Sequence, residues 1–160
     1  MAIDLGREQA WLQRFVGEWT YDSEAMPEPG KPPERASGRE NVRSLGGVWV
    51  VCEGQGDMPG GGHATTIMSL GYDPAKRRFI GTFIGSMMPD LWIYEGTLDP
   101  QGNVLTLNTE GPSFAGDGTT TKYQDRIEFR SDDHRVMSSS YIDAAGTWNS
   151  FMTVHYRRAT

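Results

Sequence analysis

Asp125 is the residue whose setting first suggests chemistry. In the run from Lys122 to Arg130, Tyr123, Asp125, Ile127 and Phe129 share one face, opposite Lys122, Gln124, Arg126, Glu128 and Arg130. Side chains of a strand alternate between its two faces, so the more apolar set points inward and carries a carboxylate with it. An inward carboxylate among aromatic and aliphatic neighbours either anchors the polar end of a ligand or pairs with a buried arginine as a structural ion pair. Both readings stay open at this stage.

The other reactive residue types form no recognisable set. Ser138, Ser139 and Ser140, with His63, His134 and His155, supply a nucleophile and a base by type, but no nucleophile elbow or other specific spacing joins them. His134 follows Asp132 and Asp133 in what reads as a solvated hairpin turn, and His63 follows three glycines at a flexible tip. That glycine run lacks the Lys-Ser/Thr and the helix of a phosphate-binding loop. Three histidines far apart, without close His-His or Cys spacing, make no metal site. Cys52, the one cysteine, lies in the apolar run Val48 to Cys52 and reads as packed rather than reactive. The balance leans against an enzyme.

The elements that must position these residues are short. Leu5, Trp11, Leu12 and Phe15 fall at helical spacing among polar residues, which predicts one amphipathic helix over about residues 6–15, covering a barrel end. Trp19, Tyr21 and Ser23 alternate in a first strand that runs into a proline-rich loop at 26–35, a connector rather than a lid. Strands follow at 36–45, 48–53, 64–72, 78–86, 91–98, 104–109, 121–130, 135–142 and 148–157, joined by Gly-, Asp- and Pro-rich turns. Successive hairpins with no crossover helix predict an all-β, up-and-down antiparallel barrel of about ten strands, in a single domain over 1–160. In the last strand Trp148, Ser150, Met152, Val154, Tyr156 and Arg158 share the more apolar face, which leaves His155 outward.

Composition removes several classes. A net charge of -6, with basic residues scattered, disfavours nucleic acid. No apolar run approaches the ~20 residues that span a bilayer, and the first twelve residues lack a leader pattern, so the expectation is a cytoplasmic protein away from membranes. Phe79 to Ser86, Val48 to Val51 and Leu91 to Tyr94 are apolar on both faces, more than one helix covers, which predicts a two-fold homodimer.

Gly17-Glu18-Trp19 on the first strand, with Tyr156-Arg157-Arg158 closing the last, resembles the calycin superfamily of lipocalin-like and fatty-acid-binding-protein-like barrels. That resemblance implies barrel closure by an arginine over the first-strand tryptophan, here Arg158 over Trp19. The wider string is Gly71-Tyr72-Asp73-Pro74, Arg78 to Phe83, Ser86-Met87, Glu95-Gly96-Thr97 and the terminal Tyr-Arg. It resembles the small bacterial proteins of domain-of-unknown-function family fifteen-seventy-nine from about Phe15 to Arg158. This chain carries Gly85 where members of that family often place an acidic residue. Resemblance to nitrobindin implies a late haem-ligating histidine, for which His155 is the candidate, but its outward parity argues against haem. No cofactor is expected. The functional expectation is a small apolar or amphipathic ligand inside the barrel, walled by Tyr123, Asp125, Ile127, Phe129, Trp148, Met152 and Tyr156. The alternative is a filled core, with the protein acting through its dimer surface.

Overall fold

The computed structural model describes residues 5–26, 30–58 and 61–159. After a single helical turn, α1 (Arg7–Leu12), and a 3-10 turn at Gln13–Phe15, ten strands follow: β1 (Gly17–Ala25), β2 (Glu34–Leu45), β3 (Trp49–Asp57), β4 (His63–Asp73) and β5 (Arg78–Gly85), then β6 (Met88–Leu98), β7 (Val104–Pro112), β8 (Thr120–Ser131), β9 (His134–Ile142) and β10 (Trp148–Arg158). Every strand pairs antiparallel with its sequence neighbours, and β1 pairs with β10, closing the barrel. Its closing register sets Trp19 opposite Arg158 and, on the other side, opposite Glu40. The proline-rich connection is shorter than 26–35, because β2 already starts at Glu34, and Pro27, Glu28 and Pro29 lie outside the described residues. No helix among the described residues is long and apolar enough to cross a membrane.

An isolated six-residue helix is unstable in water, so α1 exists because tertiary packing holds it. The buried Gln9 accepts a hydrogen bond from the Gly6 amide at 2.9 Å, capping its start. Trp11, Leu12 and Phe15 then drop into one barrel end, where Trp11, Phe15, Phe79 and Phe129 meet edge to face with centroids 5.1–6.0 Å apart. Indole donors are satisfied on the way: Trp11 Nε1 donates to Gly102 O at 2.7 Å and Trp19 Nε1 to Phe15 O at 2.8 Å. Leu70, Leu105 and Leu107, all fully buried, fill the next layer.

Arg158 locks this end. Its guanidinium lies 4.2 Å from the Trp19 ring and donates to the carbonyls of Val16, Arg14 and Asp132 at 2.8–3.1 Å. Gly17 leaves the space it needs: φ is +134°, a region side chains avoid, and a Cβ there would strike the guanidinium. Arg135, which alternation along β8 and β10 does not single out, is buried below. It ion-pairs with Glu40 and stacks 3.9 Å from the Tyr156 ring and 4.6 Å from Trp19. The buried arginine therefore pairs with Glu40, and not with Asp125 as the ion-pair reading has it.

Two bulges shape the opposite end. In β10 one extra residue enters between Ser150 and Met152, opposite Ser140 and Ser139. An inserted residue reverses the alternation behind it, so the expected inward face of β10 holds only from Met152 onward. Trp148 is consequently 42% exposed, a correction to its place on the inner face, while Phe151 turns inward instead. In β6, Met88 pairs with Gly85 and Trp92 with Phe83, which leaves two more residues on β6 than on β5 and bends β6 away. As a result β6 and β7 pair only over Glu95–Leu98 and Leu105–Asn108, and part beyond.

Candidate functional site: a carboxylate-bearing pocket in the open half of the barrel

The parting of β6 from β7 leaves an interior pocket of about 260 Å³. Methionines 68, 87, 88, 137 and 152 and the rings of Phe83, Trp92, Phe114, Tyr123 and Phe151 make its walls, with Asp125, Tyr94, Thr109 and Ser139 as its polar groups. Methionine is unbranched and polarizable, so such a wall adapts to varied shapes. Trp92 covers the unpaired seam: its ring lies against Gly111 of β7, where a Cβ would collide with it, and its Nε1 donates to Met88 Sδ at 3.3 Å. A wider depression of about 980 Å³, lined by Ala25, Met26, Thr120, Thr121 and Asn149, opens over the mouth and shares Phe114, Phe151 and Met152 with the pocket. Phe114 stands between the two, 66% exposed yet edge-on to Tyr123, Tyr141 and Phe151 at 4.9–5.7 Å.

Asp125 is the polar centre. Tyr94 Oη donates to its Oδ2 at 2.5 Å, and Ser139 sits opposite it on β9, where its hydroxyl favours the ionised form. Burial pushes the Asp125 carboxyl above the usual carboxylate range, and these two groups only partly offset the effect. Tyr94 is raised well above its usual value, by burial first and the adjacent carboxyl second, so it stays protonated and remains a donor. No ion pair with a lysine, arginine or histidine is made by Asp125 among the described residues, and none of these residue types lines the pocket. Thr109 Oγ1 is buried without a hydrogen-bond partner on the same lining.

Of the residues expected to wall a ligand, the structure brings Tyr123, Asp125 and Met152 together here. Ile127 and Phe129 are buried in the filled half, Tyr156 packs against that core beneath Arg135, and Trp148 is outside. Sequence reasoning missed Tyr94, Thr109, Trp92 and Phe151. Alternation along β6 and β7 could have placed the first three, but Phe151 depends on the bulge. Ser139 is the middle serine of the triplet, buried beside Asp125, yet no histidine joins it. His134 and His155 instead meet on the outer surface, Nε2 to Nδ1 at 3.0 Å with stacked rings, which corrects the solvated-turn reading of His134. Cys52 is buried, and its thiol is pushed up to about 12 by burial.

With this geometry in place, the match of a family model across residues 4–158 decides the relationship. The chain belongs to the DUF1579 family of proteins of unknown function. Comparison with curated proteins gives no match. Among solved structures, Rv2717c from M. tuberculosis is similar, with a TM-score of 0.66 at 14% identity, over 98% of this chain and 100% of that one. EF1p2_mFAP2b bound to DFHBI has a TM-score of 0.50 at 12% identity, over 98% and 100%. A fluorescence-activating β-barrel designed de novo has a TM-score of 0.50 at 11% identity, over 92% and 96%. At such identities the likeness shows the DUF1579 chain's barrel fold and nothing of its chemistry.

Proposed function

We propose that this DUF1579 protein binds a small amphipathic molecule in the barrel pocket lined by residues of β4 to β10. The observation that carries the reading is a carboxyl group set in an apolar, methionine-rich and aromatic-rich cavity with no cationic side chain to match it. A few convergent polar groups in a concave apolar site is the general pattern of small-molecule recognition. A filled core would instead pair or remove such a group, because an unmatched buried polar group costs stability. The similar barrel bound to DFHBI supports the reading by analogy of fold. Buried, unpaired Cys52 fits a cytoplasmic address. His155, on the outer surface against His134, gives haem no ligand inside this pocket.

Trp92 supplies the test, since it lines the cavity. A panel of small aromatic amines and alcohols, extended with fatty acids and retinoids, should include members that quench tryptophan fluorescence saturably, and Trp92→Phe should remove most of that signal. Unchanged fluorescence across the whole panel, on folded protein, would leave the filled-core reading ahead.

A homodimer surface is the second reading, favoured by one observation. Ile84, Leu91 and Ile93 are 46%, 59% and 65% exposed on the outer faces of neighbouring strands β5 and β6, and α1 plugs the barrel end without covering them.

A further inference from the structure

Accepting that the pocket takes a ligand, three observations narrow what that ligand is. Tyr94 occupies one oxygen of Asp125, and in its ionised form the carboxylate offers the cavity only acceptor capacity. Thr109 sits opposite Tyr123, one place along the same inward face from the position opposite Asp125, and its buried hydroxyl has no partner. Cross-strand diagonal neighbours of this kind lie about 7–8 Å apart at Cα, close enough for both side chains to reach one polar group. Finally, the walls carry several aromatic rings, a side-chain type that attracts cations.

We propose that the pocket is a receptor for a small primary or secondary amine with a one-ring or short aliphatic body, its ammonium donating to Asp125 and Thr109. An ammonium with at least two N–H groups meets both oxygens, whereas a quaternary ammonium meets neither by hydrogen bonding. The size follows from the volume: 260 Å³ lies below the roughly 300–1,000 Å³ typical of pockets for drug-sized ligands. A carboxylate ligand is opposed by charge. The buried cation among the described residues, Arg135, is paired with Glu40 and sealed among Phe15, Trp19 and Tyr156, away from the pocket walls. Desolvation of Asp125 points the same way, because a bound cation restores the stability of its ionised form.

Calorimetric titration with four compounds that share a 2-phenylethyl body tests this: phenethylamine, 2-phenylethanol, 3-phenylpropionate and trimethylphenethylammonium. Phenethylamine should bind at least tenfold more tightly than 2-phenylethanol, with the other two weaker still. Asp125→Asn should weaken phenethylamine by roughly ten- to a hundredfold while leaving 2-phenylethanol within about threefold, the range of a charge-assisted hydrogen bond. Thr109→Val should weaken phenethylamine and spare the quaternary compound. If 2-phenylethanol binds and phenethylamine binds no better, the amine assignment is overturned while the pocket stands. If none of the four binds to wild-type protein, the pocket reading itself fails. Comparison of ligands on the wild type decides the matter even if a variant does not fold.

Discussion

Arg135 and Asp125 show how differently two inward charges can be treated in one barrel. Arg135 is 3% exposed and ion-paired with Glu40, its guanidinium flanked by three rings. Removing one partner leaves the other buried and uncompensated, so Arg135→Ala should lose about 3–5 kcal/mol in urea denaturation. Replacing both partners by apolar side chains, as in Arg135→Met with Glu40→Leu, should be neutral or stabilising by up to about 4 kcal/mol. Equal losses in the single and double variants would show the pair to be a net stabiliser. Asp125 is matched by neutral groups of β6 and β9, and its charge in turn helps to raise the Tyr156 hydroxyl of β10. Its raised folded value means that its contribution is full below the ordinary carboxylate range and is lost as pH rises through that raised value. Asp125→Asn should therefore melt higher than the wild type at pH 7, with the gap closing by about pH 3.5, below the ordinary Asp value. A variant that melts lower at neutral pH would refute the idea of a desolvated carboxylate held for a ligand. His134 bears on stability with the opposite sign: burial first, then Arg157, His155 and Arg130, lower its pKa, so protonation in acid works against the fold.

Among the elements, the seam between β6 and β7 matters most. The β6 bulge separates two strands that would otherwise complete their ladder, and Trp92 lies on Gly111 in the space so made. Bulges re-aim side chains where regular pairing cannot, and here one opens interior volume at the expense of ladder hydrogen bonds. Gly111→Ala puts a methyl group where the indole packs, so the ring must swing away or into the cavity. A destabilisation of about 1–3 kcal/mol is expected for such overpacking, with a change in tryptophan emission and in the affinity for 2-phenylethanol. Unchanged emission and affinity would show that the ring does not control the pocket wall. At the other end, α1 and Arg158 close the barrel on a filled aromatic core, so the two ends of one sheet carry different work.

For the whole molecule, the apolar outer stripe is the feature that the fold leaves uncovered. Ile67 pairs across from Ile84, and Thr82 from Ile93, so β4, β5 and β6 present a continuous outward strip including Leu91. Exposed apolar strips of this kind in a small protein mark contact surfaces. Light scattering should give about twice the 17.8 kDa chain mass for the wild type, and the chain mass for Ile84→Glu with Ile93→Glu. The double variant should keep its affinity for pocket ligands, since these side chains point away from the cavity. A monomeric wild type would remove the dimer reading without touching the pocket.

Strand number, the antiparallel meander, the N-terminal helix and the inward face of β8 were all legible in the residues, because period-2 alternation and turn chemistry are local properties. So was Arg158 over Trp19, through the family resemblance. Alternation along a single strand cannot reveal a bulge, because the extra residue is defined only against its partner strand. For that reason Trp148 and Phe151 exchanged faces, and although the inward residues of β6 and β7 follow from alternation, the parting of those strands that opens the pocket does not. The pairing of Arg135 with Glu40 was equally hidden: 95 residues separate them, and only closure of β1 onto β10 brings β2 near β9. Side-chain identities along each strand determined which faces are polar, while closure and register, which depend on the whole sheet at once, decided where the barrel is filled and where it stays open.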